Sequence, residues 1–600
     1  MADRFPSPFD MPTPPGAEGW QELYAYSSVF SDDRREYEES TFWFMDGVHT
    51  PEVIPPWDAT ILEYAIIALS QYNTRHYVIP PALGVDIRFL NGYMYLSPVG
   101  VADPDEIGAR VPEFAERAGY YFQHWDELYA AWLPKVRALI RELEAISFEA
   151  LPDREDMAVI TEGRGQGSAL DLLTSYHRLV DLTLKLWHHH FEFLNLGYAA
   201  YLDFFGFCKQ LFPSIPDQAI AKMVAGIEVD LFRPDDEIKQ LAQLAVDLGI
   251  ASRLEGRADA ALASLDDEAG RTWLAAWDKA KEPWFNFSAG SGFYHSDKVW
   301  LENLDIPFGF LQTYITKLRR GDSLERPMGA VIAERDRIVA EYSELIGSNE
   351  DRATFEGKLG LARTVFPYVE NHNFYIEHWG HSVIWRKMRD LGRIFVKEGF
   401  FADADDIFLL SRHEVPEALY DMYHGWAVGV PSRGPKYWPR ENARRAAIMD
   451  ALRQWSPPPA LGVPPEVITE PFTVMLWGIT SDSVKQWLGG AQADGGLTGF
   501  AASPGIAEGP ARVIFNADGI GDLQDGEILV APLTAPSWAP VFGKIAATVT
   551  DVGGIMSHAA IVCREYGLPA VTGTAFGTKS IKTGQRIRVD GNTGQVTIID

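Results

Sequence analysis

Helical spacing runs through most of this chain and then stops, and that change constrains the fold more than any other feature. Over residues 20–453 apolar side chains recur at intervals of three and four along segments such as 114–144, 169–207 and 373–397, with proline, glycine and acidic breaks such as 234–237 between them. From about residue 497 the pattern becomes short β-type runs at 511–515, 527–530, 547–550, 570–572, 586–589 and 595–599, separated by turn residues. Between the two regimes, Ser456-Pro457-Pro458-Pro459 and Pro464-Pro465 stiffen the chain, while Gly489-Gly490 and Gly495-Gly496 loosen it. The expected fold class is multidomain, α plus α/β. It comprises a proline-rich arm at 1–19, a large mostly α-helical region at 20–455, a linker at 456–496 and a small C-terminal α/β domain at 497–600. A domain on so loose a tether can swivel.

Composition removes several classes of function. The 600 residues carry 53 Lys and Arg against 83 Asp and Glu, a formal charge of −30 that repels phosphate backbones and anionic lipid. No nucleic-acid partner and no membrane association are expected. Two cysteines, Cys208 and Cys563, make neither a disulfide framework nor a zinc quartet and suit a reducing compartment. No apolar signal core follows Met1, and the greasiest stretch, 191–212, is interrupted by Glu192, Asp203 and Lys209. A cytoplasmic location is the expectation.

The segment richest in chemistry is Asp551-Val552-Gly553-Gly554-Ile555-Met556-Ser557-His558-Ala559-Ala560. A β-branched run enters a Gly-Gly turn, Ser557 is positioned to cap a helix of good helix formers over 559–566, and Gly567 stops it. His558 then stands in the first helical turn, where unpaired N–H groups and the positive end of the dipole favour an anion. An imidazole there can act as a nucleophile whose phosphorylated form has its charge received by the helix end. Gly553 and Gly554 let a phosphate come close to the backbone. Local logic leaves a capped surface histidine equally open.

This stretch resembles the phosphohistidine signature of the swivelling domain in the phosphoenolpyruvate synthase and pyruvate phosphate dikinase superfamily. There Gly-Gly, Ser-His-Ala-Ala, an Arg-Glu pair and Gly-x-Pro-Ala-Val follow in the order seen here through Arg564-Glu565 and Gly567 to Val571. The resemblance extends to an opening strand and turn at 499–513, to the central strand and its loop at 528–540 and to the closing hairpin at 589–594. It implies a covalent phosphohistidine at His558, with Gly553, Gly554, Ser557, Thr550 and Arg564 around the phosphate. Met556 stands where the dikinases often have threonine, which leaves Ser557 and Thr550 as the substitute hydroxyls.

Full-length relatives also carry an ATP-grasp domain with an Arg-Ser-Ser stretch, and some a terminal barrel that handles phosphoenolpyruvate. Neither Arg-Ser-Ser nor a Walker-type loop occurs in this sequence, and it stops ten residues after Asp590, so no barrel is expected. The resemblance thus implies a separate ATP-grasp nucleotide-binding subunit as partner, holding Mg2+ and ATP. Residues 393–414 resemble the segment before the swivelling domain in phosphoenolpyruvate synthase-like proteins and rifampicin phosphotransferases, and 42–56 and 88–96 resemble the start of their acceptor domain. An acceptor domain followed by a histidine domain, without ATP-grasp, is the arrangement of the large subunit of phenylphosphate synthase and similar two-subunit aryl phosphate synthases. That likeness implies an ATP-dependent phosphotransferase that turns ATP into AMP and phosphate while phosphorylating a small phenolic substrate, as in aromatic compound degradation. The same design with a non-phenolic acceptor, pyruvate or an antibiotic hydroxyl, and a phosphohistidine relay to another protein are the alternatives.

Transfer to a phenol needs a group to share the hydroxyl proton and cations for the phosphoryl oxygens. Within 370–387, Phe374, His378, His381 and Trp385 fall at i, i+4, i+7 and i+11, one face of an α-helix. His378 and His381 are therefore candidate catalytic residues. Phe374, Trp385, Arg386, His372 and Glu370 are candidate substrate contacts, joined by His295 in the glycine-rich stretch 288–297. Histidines hydrogen-bonded inside an aromatic core are the other reading of this face. His188 and Glu192 lie one turn apart, but consecutive histidines at 188–190 point in different directions and no metal is assigned.

Overall fold

The computed structural model describes residues 4–468, 473–474, 476–489 and 497–599. Gly490, Gly495 and Gly496, expected as flexible points, lie outside them. The chain forms two compact units, one from residues 1–192, 293–295 and 380–465, the other from residues 193–292, 296–379 and 466–600.

Helical periodicity yields long helices in both. The expected segment 169–207 is one helix, Ser168–Leu211, whereas 114–144 is two, Pro104–Gln123 and Trp125–Glu144, separated at His124 where φ and ψ are −115° and 20°. The segment 373–397 opens as a π-helix, Asn373–Gly380, and becomes α-helical only over His381–Lys397. In the first unit Trp57, Trp125, Trp132, Trp187 and Trp385 are fully buried. Two of these indoles bond inside the core, Trp132 to the His189 carbonyl at 2.9 Å and Trp57 to the Tyr176 hydroxyl at 3.3 Å.

The first unit also contains a four-stranded antiparallel sheet that the helical periodicity concealed. Its strands are β1 (Trp43–Met45), β2 (Ala82–Leu90), β3 (Tyr93–Gly100) and β4 (Ala460–Leu461), in the order β2-β3-β1-β4. Asn91-Gly92 joins β2 to β3 with φ of 49° and 80°, the two positive values that a type I′ hairpin turn requires. An Asn-Gly pair between apolar runs was the signal available in the sequence.

The second unit holds an eight-stranded mixed sheet. Its strands are β5 (Leu497–Thr498), β6 (Phe500–Ser503), β7 (Ile506–Val513), β8 (Ile528–Ala531), β9 (Ala547–Thr550), β10 (Ala570–Thr572), β11 (Arg586–Asp590) and β12 (Gln595–Ile598). The order is β5-β12-β11-β7-β8-β9-β10-β6, with β7 to β10 mutually parallel. The β-type runs from 527 onward return as β8 to β12 with ends shifted by at most one residue, whereas of the run at 511–515 only 511–513 are strand, as the end of β7. Ile528, Val530, Val549, Val571, Ile587 and Val589 pack together as the core of this sheet. Parallel strands leave the loops at their carboxyl ends as natural ligand sites, and here those are 532–538 after β8 and 551–557 after β9. Among the described residues no helix is long and apolar enough to cross a membrane.

Candidate functional site

Strand β9 ends at Thr550, and the chain turns at Gly553, whose φ of +107° a side chain would strain. A Cβ there would also stand 2.7 Å from the Ser557 hydroxyl. The helix runs His558–Tyr566 and closes on Gly567 in the left-handed region, φ 66°. Ser557 occupies the N-cap position but does not cap, contrary to expectation. Its hydroxyl donates to the Gly554 carbonyl at 2.8 Å, because the Gly-Gly turn folds that acceptor back within reach.

His558 is thus at the helix start, as its neighbours foretold. Its Nδ1 lies 3.4 Å from the Thr534 hydroxyl, at the carboxyl end of the adjacent strand β8. Its Nε2 is sealed from water and has no hydrogen-bond partner among the described residues. Burial lowers the ring from its ordinary range to about pKa 3, since no charge nearby compensates desolvation of the imidazolium. The ring is neutral across the physiological range and keeps a lone pair.

The other residues expected around the phosphate have defined partners. Thr550 donates its hydroxyl to the Val552 carbonyl at 2.8 Å. Gly554 donates its N–H to the Leu476 carbonyl at 3.1 Å. Arg564 is buried, and one guanidinium nitrogen bonds the Ala502 and Ile555 carbonyls, both at 2.9 Å, tying β6 to the turn that precedes His558. Thr534 is the functional neighbour that sequence reasoning missed. It lay inside the resembling loop, yet 24 residues from His558, and nothing local marks it.

This α/β domain is seated on helices and loops of its own compact unit. The Trp538 indole donates to the Ala289 carbonyl at 3.0 Å, Gln218 to the Gly591 carbonyl at 2.9 Å, and the Gly226 N–H to Glu565 at 2.9 Å. Tyr566 donates to Asp235 at 3.2 Å. Near Arg564 and Glu565, the buried Glu370 carboxyl is pushed up to about pKa 8, chiefly by burial, with Arg564 opposing and Glu565 and Glu377 adding to the rise. His378 is fully buried and accepts the Ser288 N–H on Nδ1 at 3.1 Å, so in the neutral ring the proton sits on Nε2. Ser288 belongs to a loop held by Asp297, which accepts the Ser288 hydroxyl at 3.3 Å and the Gly292 N–H at 2.9 Å. His372 bonds the Tyr368 carbonyl at 3.1 Å, and Phe374 packs against Trp284 with ring centroids 4.9 Å apart.

The single face expected for Phe374, His378, His381 and Trp385 does not form. A π-helix closes hydrogen bonds over five residues rather than four, so α-helical spacing no longer aligns side chains. Phe374 and His378 belong to the second unit, His381 and Trp385 to the first. In the first unit His381 is fully buried among Trp187 and Trp385, each 5.5 Å away, and Phe293 at 5.9 Å. Arg386 donates to the Ser382 hydroxyl at 3.2 Å. His295 bonds the buried carboxylate of Asp58 through Nδ1 at 2.7 Å. It is His189, rather than His188, that meets Glu192, at 2.7 Å, because i and i+3 also share a helix face.

Residues 523–594 match the family described as PEP-utilising enzyme, mobile domain. Fold and site together define the class: a small α/β domain that over residues 523–594 is similar to the PEP-utilising mobile domain, in a chain that is otherwise mostly helical. The chain is 28% identical over 575 residues to chondramide synthase cmdD of Chondromyces crocatus, a match covering 93% of this chain and 14% of that protein. It is 27% identical over 303 residues to the uncharacterised phosphotransferase YvkC of Bacillus subtilis, 50% of this chain and 34% of the relative. To a rifampicin phosphotransferase of Streptomyces sp it is 32% identical over 272 residues, 44% of this chain and 28% of the relative. The chain thus spans no more than 34% of the length of these relatives. Its similarity is to phosphotransferases of the PEP-utilising class.

Proposed function

We propose that this chain is the phosphotransfer subunit of an ATP-dependent phosphotransferase, in which His558 accepts a phosphoryl group and passes it to the hydroxyl of a small phenol. One observation carries the proposal: a neutral imidazole, Nδ1 at Thr534 and Nε2 unbonded, at the carboxyl ends of β8 and β9. A neutral ring with a lone pair is the form that attacks phosphorus. In the reading, Nε2 is the attacking atom and Thr534 steadies the ring.

Mg-ATP supplies the phosphoryl group. We assign ATP and Mg2+ to a separate ATP-grasp subunit, the arrangement that the resemblance to two-subunit aryl phosphate synthases implies. The domain at 497–600 then carries the phosphoryl group from that subunit to the acceptor. The rings and imidazoles of the first unit, Phe293, His295, His381 and Trp385, support a flat hydroxylated acceptor in this reading. The setting is cytoplasmic, which suits the free, buried thiols of Cys208 and Cys563. A second reading, with an antibiotic hydroxyl as acceptor, is favoured by the relatives named rifampicin phosphotransferases.

Reconstitution with the ATP-grasp subunit tests the reading. AMP and an aryl phosphate should form with phenol, but no AMP with rifampicin or pyruvate, and His558→Ala should abolish every transfer. Turnover with rifampicin alone would select the second reading, and transfer only to a protein would select a relay. Wild-type activity in the alanine variant would end the carrier role of His558.

A further inference from the structure

Phosphorylating a hydroxyl releases a proton, so the transfer proposed for His558 requires a group to accept it, and any role for that group rests on the transfer itself. The histidines singled out from sequence differ sharply in what their rings can do. His378 accepts a backbone N–H on Nδ1, which leaves the proton on Nε2 and makes that edge a donor. His381 is enclosed by Trp187, Trp385 and Phe293 with no exposed surface. His372 turns Nδ1 to a carbonyl and Nε2 towards Glu377, 3.8 Å away.

His295 is built differently. Its Nδ1–H points at Oδ2 of Asp58, 2.7 Å away, and the same oxygen accepts the His295 backbone N–H at 3.0 Å. The ring is stacked on Phe408 with centroids 3.8 Å apart and planes 7° from parallel. Arg389 holds the His295 carbonyl at 2.7 Å while pairing with Asp405 at 2.7 Å. Backbone, ring face and one ring nitrogen are thereby all clamped. The Nε2 atom makes no hydrogen bond among the described residues and is not sealed, for the side chain keeps 14% of its surface while Asp58 keeps none.

The carboxylate gives a second, independent indication. Asp58 Oδ1 is buried without a partner among the described residues. A carboxylate kept only for structure is normally hydrogen-bonded through both oxygens, whereas one that orients an imidazole and stabilises its cation has its charge held in reserve.

We propose that His295, oriented by Asp58, is the general base that takes the proton of the acceptor hydroxyl. The acceptor O–H bond breaks with its proton passing to Nε2 of His295, and the oxygen's electron pair forms the new O–P bond. The electrons of the P–N bond return to the His558 ring, which regains one proton from solvent while His295 sheds one. Asp58 is a positioning residue, since it acts through His295. The acceptor class is a hydroxyl that is un-ionised at neutral pH, such as phenol.

The test uses the full chain, labelled on His558 with phosphoramidate as chemical phosphoryl donor, and follows transfer to phenol and to 4-nitrophenol at mildly alkaline pH, where the latter is largely ionised. His295→Gln should take label as the wild type does, slow transfer to phenol about 100-fold, and slow transfer to 4-nitrophenol little, because an ionised oxygen needs no base. Asp58→Asn should show the same selectivity with a smaller loss. Since His295→Gln leaves a buried charge uncompensated, the double variant Asp58→Asn/His295→Gln guards against misfolding and must reproduce the phenol-selective defect. Equal slowing with both phenols overturns the assignment to His295. A wild-type chain that takes no label on His558 overturns the carrier reading itself, and with it the need for a base.

Discussion

Burial acts in opposite directions on His558 and Glu370. An imidazole loses its proton when water is withdrawn, and a carboxyl keeps it, so His558 stays neutral down to about pH 3 and Glu370 stays protonated up to about pH 8. For Glu370 the sign of the pH effect follows from the folded value lying above the ordinary 4.5. Between those values the folded state holds the extra proton, so its stability falls as pH rises through the window. Glu370→Gln mimics the protonated carboxyl and should therefore stabilise the protein by about 1 kcal/mol at pH 5 and by about 4 kcal/mol at pH 8. Thermal midpoints at the two pH values check this, and a gain that does not grow with pH contradicts it. Individual residues were the least legible level. Thr534, Asp58 and Glu370 act through partners 24, 237 and roughly 200 positions away, and no local pattern encodes such distances.

The short helix at His558 depends on how sharply the chain turns before it. Gly553→Ala places a Cβ at φ +107° and 2.7 Å from the Ser557 hydroxyl, which is itself bonded to the Gly554 carbonyl. Strain and clash together should destabilise the chain by about 1–3 kcal/mol and displace His558, read as lost label on that ring in a chain whose denaturation midpoint has dropped. Unchanged labelling would mean that the turn adapts. Most elements of this terminal domain were legible, because alternating β-branched runs between turn residues carry their own period. The π-helix at Asn373–Gly380 was not. Its sequence is compatible with an α-helix, and the extra residue per turn is visible only once the hydrogen bonds are. The β2–β3 hairpin was legible in principle from Asn91-Gly92, but its apolar residues also fit a helical spacing.

At the level of the whole molecule, both compact units are assembled from three separate stretches of chain. In the second, the α/β domain is held on other parts of its unit by a few long-range hydrogen bonds, such as Trp538 to Ala289. Trp538→Phe keeps an aromatic ring but removes that bond and part of the buried indole, at a cost of about 1–3 kcal/mol. Hydrogen exchange should become faster in 286–292 and in 551–558 while the core of β8 and β9 stays protected. Protection unchanged in both loops would show that the indole bond does not secure the seat. The sequence by itself determined the two regimes of secondary structure and the place of His558 at the start of a short helix, since period and motif are local and survive without any partner. Only the tertiary structure decided that Nδ1 meets Thr534, that Thr550 and Arg564 are engaged with carbonyls, and that Asp58 orients His295. The physical reason is that protonation, tautomer and free valence depend on which distant groups exclude water from a side chain and bond to it.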